Sequence, residues 1–109
     1  MNDLKDGRVE VRKILRCSAR IVINDAIRLK GRTIDISVSG ISVMVEEPIA
    51  SLQKCRIYFD APAGNKIVNV NIAARAIYST CVGTSGFRVG FQFDQTDDAG
   101  MKLIRQLVQ

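Results

Sequence analysis

The sequence predicts an all-β fold closed by one C-terminal helix: a six-stranded antiparallel β-barrel. Three observations carry this. Apolar and polar residues alternate with a period of two in six separate runs. Turn signals such as Asn24-Asp25, Ala61-Pro62-Ala63-Gly64-Asn65 and Gly83-Thr84-Ser85-Gly86 separate the runs. The period then lengthens to that of a helix after Thr96. Closing such a sheet on itself removes its exposed edges.

Residues 1–11 are expected to form a flexible lead, because Gly7 and the charges Asp3, Lys5, Asp6, Arg8 and Glu10 argue against burial. A basic segment, Arg12 to Arg16, follows around Ile14-Leu15. Ala19, Ile21 and Ile23 alternate with polar neighbours and predict the first strand. The second runs from about Ile27 to Val38 and bends at Gly31. In its second half Ile34, Ile36 and Val38 should share the apolar face, with Thr33, Asp35, Ser37 and Ser39 on the outer one. Gly40 ends the run.

Ile41 to Glu46 is the third strand, with Ile41, Val43 and Val45 on one face and Pro48 closing it. Cys55 to Phe59 is the fourth. The fifth is long, and Val68, Val70, Ile72, Ala74, Ala76 and Tyr78 are expected to share a face. In the sixth, Phe87, Val89, Phe91 and Phe93 point in while Arg88, Gly90, Gln92 and Asp94 point out. Leu103, Ile104, Leu107 and Val108 make the helical stripe, with Thr96 as the expected N-cap and Asp97 and Asp98 near the positive end of the helix dipole. The helix should plug one barrel end or pack on its wall.

A chain of 109 residues makes one domain, and 47% apolar with 25% charged residues is ordinary for a globular fold. No apolar run approaches the roughly 20 residues that span a bilayer. The N-terminus lacks the apolar stretch of a signal peptide, so the expected location is cytoplasmic. The absence of histidine excludes Ser-His-Asp and Cys-His catalysis and His-ligated metals. Cys17, Cys55 and Cys81 fit neither a zinc spacing nor a disulfide framework, and Cys55 reads as a core residue. No metal, cofactor or enzymatic activity is expected.

The net charge of +5 is local. Residues 1–32 hold nine Lys and Arg against four acids, and the rest of the chain is balanced. This points to an anionic ligand near the N-terminal third. A small nucleic-acid-binding barrel is one alternative. It predicts aromatic side chains exposed on a strand face, whereas the six aromatics fall mostly at strand-interior positions, so nucleic acid is not the expected partner.

The polar run Asp35-Ile36-Ser37 supplies more specific chemistry. A carboxylate accepts two donors at once, such as the N1–H and N2–H₂ of a guanine edge. A hydroxyl two residues on lies about 7 Å away on the same face. Arginine binds guanine O6 and N7, clamps phosphates and stacks on bases. Arginines facing an Asp-x-Ser strand therefore make a receptor for a guanine nucleotide, and Gly40 permits close approach of a ligand or a tight turn.

At these residues the chain resembles the PilZ family of cyclic di-GMP receptors, whose motifs are RxxxR followed by [DN]xSxxG. Here they read Arg12-Lys13-Ile14-Leu15-Arg16 and Asp35-Ile36-Ser37-Val38-Ser39-Gly40. The resemblance extends through Phe87-Arg88-Val89-Gly90-Phe91-Gln92-Phe93 and implies a PilZ domain over 12–109 with a six-stranded barrel and C-terminal helix. Four RxxxR pairs occur, at 8/12, 12/16, 16/20 and 28/32, so that motif discriminates little by itself. Arg12/Arg16 directly precedes the first strand. Arg8/Arg12 is the alternative, since the interval from Arg16 to Asp35 is short for the family. Arg12 belongs to both.

The resemblance implies that Arg12 and Arg16 fold over cyclic di-GMP, Asp35 and Ser37 bind a guanine from the barrel wall, and Gly40 keeps that wall clear. Arg8, Val11, Lys13, Arg75 and Arg88 are secondary candidates. An arginine in place of Val11 would cover a second, stacked nucleotide, so one ligand per protein is expected. Ordering of the arginine loop would relay the signal to an unidentified downstream protein. A PilZ-like adaptor acting without nucleotide is the other alternative.

Overall fold

The computed structural model describes residues 10–108. Among the described residues seven strands and one helix follow in order: β1 (Lys13–Ile14), β2 (Ser18–Ile23), β3 (Ile27–Ile36), β4 (Gly40–Val45), β5 (Lys54–Ala63), β6 (Lys66–Cys81), β7 (Phe87–Phe93) and α1 (Asp98–Val108). A single 3₁₀ turn, Gly83–Ser85, joins β6 to β7. All pairings are antiparallel. The order β2-β3-β4-β7-β6-β5 returns to β2 and closes a six-stranded barrel. The short β1 lies on β3 beyond the end of its pairing with β2.

The barrel interior is aliphatic. Ile21, Ile36, Ile41, Ile57, Ile72, Val43 and Val89 are all but fully buried, as their period-two placement dictates. Met101 and Ile104 bring α1 into the same core, with Leu103, Leu107 and Val108 packed at its margin. Gly100 sits against Ile72, whose side chain points into the barrel, so the helix lies over the barrel interior and not on its outer wall. Cys55 is buried, which pushes its thiol up to about 11, and it acts as a core residue.

The structure departs from the sequence reading at β3, which ends at Ile36 with Ser37 buried beyond it, and at four further places, each with a physical reason. The alternation in β3 is broken by a bulge between Thr33 and Asp35. Thr33 therefore shares the inward side with its partner Val43, and Ile36 does so with Ile41. Thr33 is buried, donating from Oγ1 to the Leu15 carbonyl at 2.6 Å and accepting from the Cys17 N–H at 2.9 Å. It repairs the gap between β1 and β2. A second bulge, between Ala76 and Tyr78, turns Tyr78 out of the core that Ala76 enters. The β5–β6 hairpin is tighter than expected: pairing continues to Ala63 and Lys66, leaving Gly64-Asn65 as the turn. Finally, Asp97 and not Thr96 caps α1. Asp97 Oδ1 accepts the Gly100 N–H at 3.1 Å, while Thr96 bonds back to Asp94.

Candidate functional site

The two bulges face one another across the barrel wall. Asp35 on β3 is opposite Ser42 on β4, Ser42 is opposite Gly90 on β7, and Gly90 is opposite Tyr78 on β6. Each bulge re-aims its strand so that Asp35 and Tyr78 end one outward row. Tyr78 lays its ring over Gly90, where a Cβ would come within 2.2 Å of Tyr78 Cε2. A cleft of about 530 Å³ opens here, lined by Arg12, Ser39, Tyr78, Arg88, Gly90 and Gln92 among others.

Arg12 reaches this cleft because β1 runs antiparallel to the end of β3. Lys13 pairs with Ile36, which brings Arg12 alongside Ser37. Arg12 Nη2 donates to Asp35 Oδ1 at 2.7 Å, and Nη1 donates to Ser37 Oγ at 3.2 Å. Arg88 Nη2 approaches Asp35 Oδ2 at 3.5 Å from β7. The Arg88 Nε is buried and has no partner among the described residues. Partial burial raises the Asp35 carboxyl, but the hydrogen bond and charge of Arg12, the Ser42 hydroxyl and the charge of Arg88 outweigh it and hold the group below its ordinary value.

Ser37 is fully buried at the β3–β4 turn, where its N–H donates to the Gly40 carbonyl at 2.8 Å. Its hydroxyl donates to Glu10 Oε1 at 3.1 Å, and Ser39 donates to the same oxygen. Gly40 lines the cleft, but its missing Cβ also has a packing reason: a Cβ there would lie 2.1 Å from the Phe91 carbonyl oxygen.

The remaining candidates are placed elsewhere. Arg16 lines a different cleft with Ser18, Lys30 and Arg32, because the chain between β1 and β2 carries it away from Ser37. Lys13 donates from Nζ to the Leu107 carbonyl at the end of α1. Arg75 is held one strand away by Gln92 Oε1, at 3.3 Å from Nε and 3.2 Å from Nη2. Val11 is exposed. Arg8, and residues 1–9 of the expected lead, lie outside the described residues. Glu10, Ser42, Tyr78 and Gln92 were not singled out for the site from the sequence. Their places depend on the two bulges and on the path of β1, which no local pattern encodes. Among the described residues no group of His, Cys, Asp and Glu could hold a metal ion, and no helix is long and apolar enough to cross a membrane.

The PilZ domain model matches residues 6–109, and the chain belongs to that family. Solved structures of similar fold include the inhibitor of motility from Bacillus subtilis, at TM-score 0.73 and 15% identity over 93% of this chain. This chain spans 49%, about half, of that protein's length. The PilZ domain of YcgR from Escherichia coli with c-di-GMP aligns at TM-score 0.66 and 13% identity, covering 94% of this chain and 89% of that one. The PilZ domain of CeSA from a cellulose-synthesizing bacterium aligns at 0.63 and 19% identity, covering 90% and 94%. No curated protein sequence matches.

Proposed function

We propose that this chain is a cyclic di-GMP receptor. The observation that carries the reading is the convergence on Asp35 of Arg12 and Arg88, which both line the cleft, with Ser37 bonded to Arg12. Family membership and the neighbour solved with c-di-GMP support the same ligand. Asp35 receives the N1–H and N2–H₂ of one guanine, and Ser37 adds a hydroxyl beside it. Arg12 and Arg88 turn from the carboxylate to the phosphates and Hoogsteen edges.

We take Arg8 and Arg12 as the RxxxR pair, because Arg16 lines another cleft. On binding, Arg12 exchanges Asp35 for the ligand, with Arg8 as its partner there, and the altered surface beside β1 is read by a downstream protein. Isothermal titration with cyclic di-GMP, against GTP and cyclic di-AMP, tests this. Saturable heat with cyclic di-GMP alone, at a stoichiometry near one and lost in Asp35→Asn, is expected. Absence of heat at any concentration sinks the receptor reading and turns the search to an adaptor that works through protein contacts.

A further inference from the structure

Two arginine pairs, Arg16/Arg20 and Arg28/Arg32, are not absorbed by the nucleotide cleft. On a strand, residues two or four apart share a face. Arg28, Lys30 and Arg32 therefore project from the outer wall of β3, and Arg20 from that of β2. All four are exposed, and none makes an ion pair among the described residues.

Arg20 stands directly opposite Lys30. Like charges facing across a strand pair destabilise it, and no acid among the described residues forms an ion pair with either of them. On the other side of Arg20 is Tyr58, whose ring the guanidinium covers at 5.6 Å. Arg32 faces Ser18 and Met44, and Arg28 faces Val22. Asp60 and Glu46 stand in the adjoining clefts, but neither comes within 4.0 Å of these cations, and Asp60 is engaged by Asn69 at 2.6 Å. A wall needing only solubility would intersperse both signs.

We propose that the outer face of β2 and β3 is a docking surface for an acidic α-helix of a partner protein. Arg28, Lys30 and Arg32 repeat at roughly 6.6–6.8 Å along the strand. Carboxylates four residues apart on a helix repeat at about 6 Å, so successive cations meet successive acids. Guanidinium groups take such carboxylates in bidentate geometry. The half-buried Met44, directly opposite Arg32, adds apolar contact beside the charges, a composition suited to a protein interface. Single-stranded nucleic acid fits this face less well. It needs open aromatic rings, and Arg20 already covers Tyr58.

The test is titration of the ¹⁵N-labelled full chain with a helical peptide of about 20 residues carrying Glu at every fourth position. A peptide of the same composition with scattered Glu, and a DNA duplex, serve as competitors. Amide shifts confined to β2 and β3 are expected, with affinity falling steeply as salt rises from about 0.01 to 0.15 M. Lys30→Gln and Arg28→Gln together should weaken the peptide roughly tenfold while the melting temperature holds or rises, since a like-charge pair is relieved. No binding, shifts outside these strands, equal binding of the scattered peptide, or tighter binding of the duplex would overturn the proposal. These residues lie outside the Asp35 cleft, so cyclic di-GMP titration of the same variants reads the receptor function separately.

Discussion

Arg12 and Asp35, 23 residues apart in sequence, meet at 2.7 Å where β1 passes the end of β3. Arg88 approaches the second oxygen of the same carboxylate at 3.5 Å. Asp35 thus holds guanidinium groups from the N-terminal segment and from β7 side by side, against their mutual repulsion. On the proposed receptor reading, a guanine nucleotide would offer phosphates to the arginines and a hydrogen-bonding guanine edge to the carboxylate.

The arginine register is the first point to test. Arg12→Ala and Arg8→Ala should each weaken cyclic di-GMP about ten- to a hundredfold, the loss of a charged hydrogen bond worth roughly 1.5–3 kcal/mol. Arg16→Ala should change affinity by less than about twofold, a shift of some 0.4 kcal/mol. Thermal unfolding should move little in Arg12→Ala, because exposed ion pairs contribute at most about 1 kcal/mol. A loss at Arg16 as large as that at Arg12 would restore the Arg12/Arg16 pairing.

On the proposed receptor reading, Glu10 would compete with the ligand for Ser37. Its carboxylate accepts from Ser37 and Ser39, and it would stand beside incoming phosphates. Glu10→Gln should therefore tighten cyclic di-GMP by about three- to tenfold, on the order of 1 kcal/mol of relieved repulsion. Titration at neutral pH measures this directly. Weaker binding in the variant would make Glu10 part of the receptor and not a competitor.

Much of the barrel was legible because its core obeys a strict period of two. Ile21, Ile57, Ile72 and Val89 needed only their positions in an alternating run. Asp35 was legible as an outward carboxylate, and Arg12 as the arginine common to both registers. Two of the failures lie at the bulges. One extra residue at Ile34 buries Thr33, and one at Ile77 exposes Tyr78, and neither insertion leaves a mark in composition. The arginine register was not legible for a related reason: four RxxxR pairs look alike in sequence, and only the chain path puts Arg12 beside Ser37 and Arg16 in another cleft.

Two glycines of the cleft separate packing from binding. A Cβ at Gly40 would lie 2.1 Å from the Phe91 carbonyl oxygen, backbone that cannot move without opening the β4–β7 pairing. A Cβ at Gly90 would meet the Tyr78 ring at 2.2 Å, but that side chain is 44% exposed and can swing away. Gly40→Ala should thus cost about 2–3 kcal/mol or more and lower the melting temperature clearly. Gly90→Ala should melt within a few degrees of the parent, a change of under about 1 kcal/mol, while altering nucleotide affinity. Equal destabilisation by both would mean that the Tyr78 ring is as fixed as the backbone.

Acid stability should depend on Asp97. Its carboxylate accepts the Ala73 N–H at 2.9 Å and the Gly100 N–H at 3.1 Å, and Arg56 lies 3.4 Å away. The Ala73 bond, with help from Gly100 and Arg56 and against partial burial, holds its carboxyl below the ordinary 3.8. A carboxyl lowered in the folded state contributes stability that is complete above the unfolded value, about 3.9, and is lost as pH falls through the lower folded value. Asp35 is lowered too and acts in the same direction. Melting temperature should therefore hold from neutral pH to about pH 4 as far as these groups control it, and fall below that. Asp97→Asn retains an oxygen for the Gly100 N–H but cannot titrate, so it should cost about 1 kcal/mol at neutral pH and flatten the fall below pH 4. Asp97→Ala removes the cap as well and should cost about 1–2 kcal/mol. Calorimetric melts of the three proteins between neutral pH and pH 2 decide the matter. Parallel acid limbs in parent and Asp97→Asn would show that some other carboxylate carries the transition.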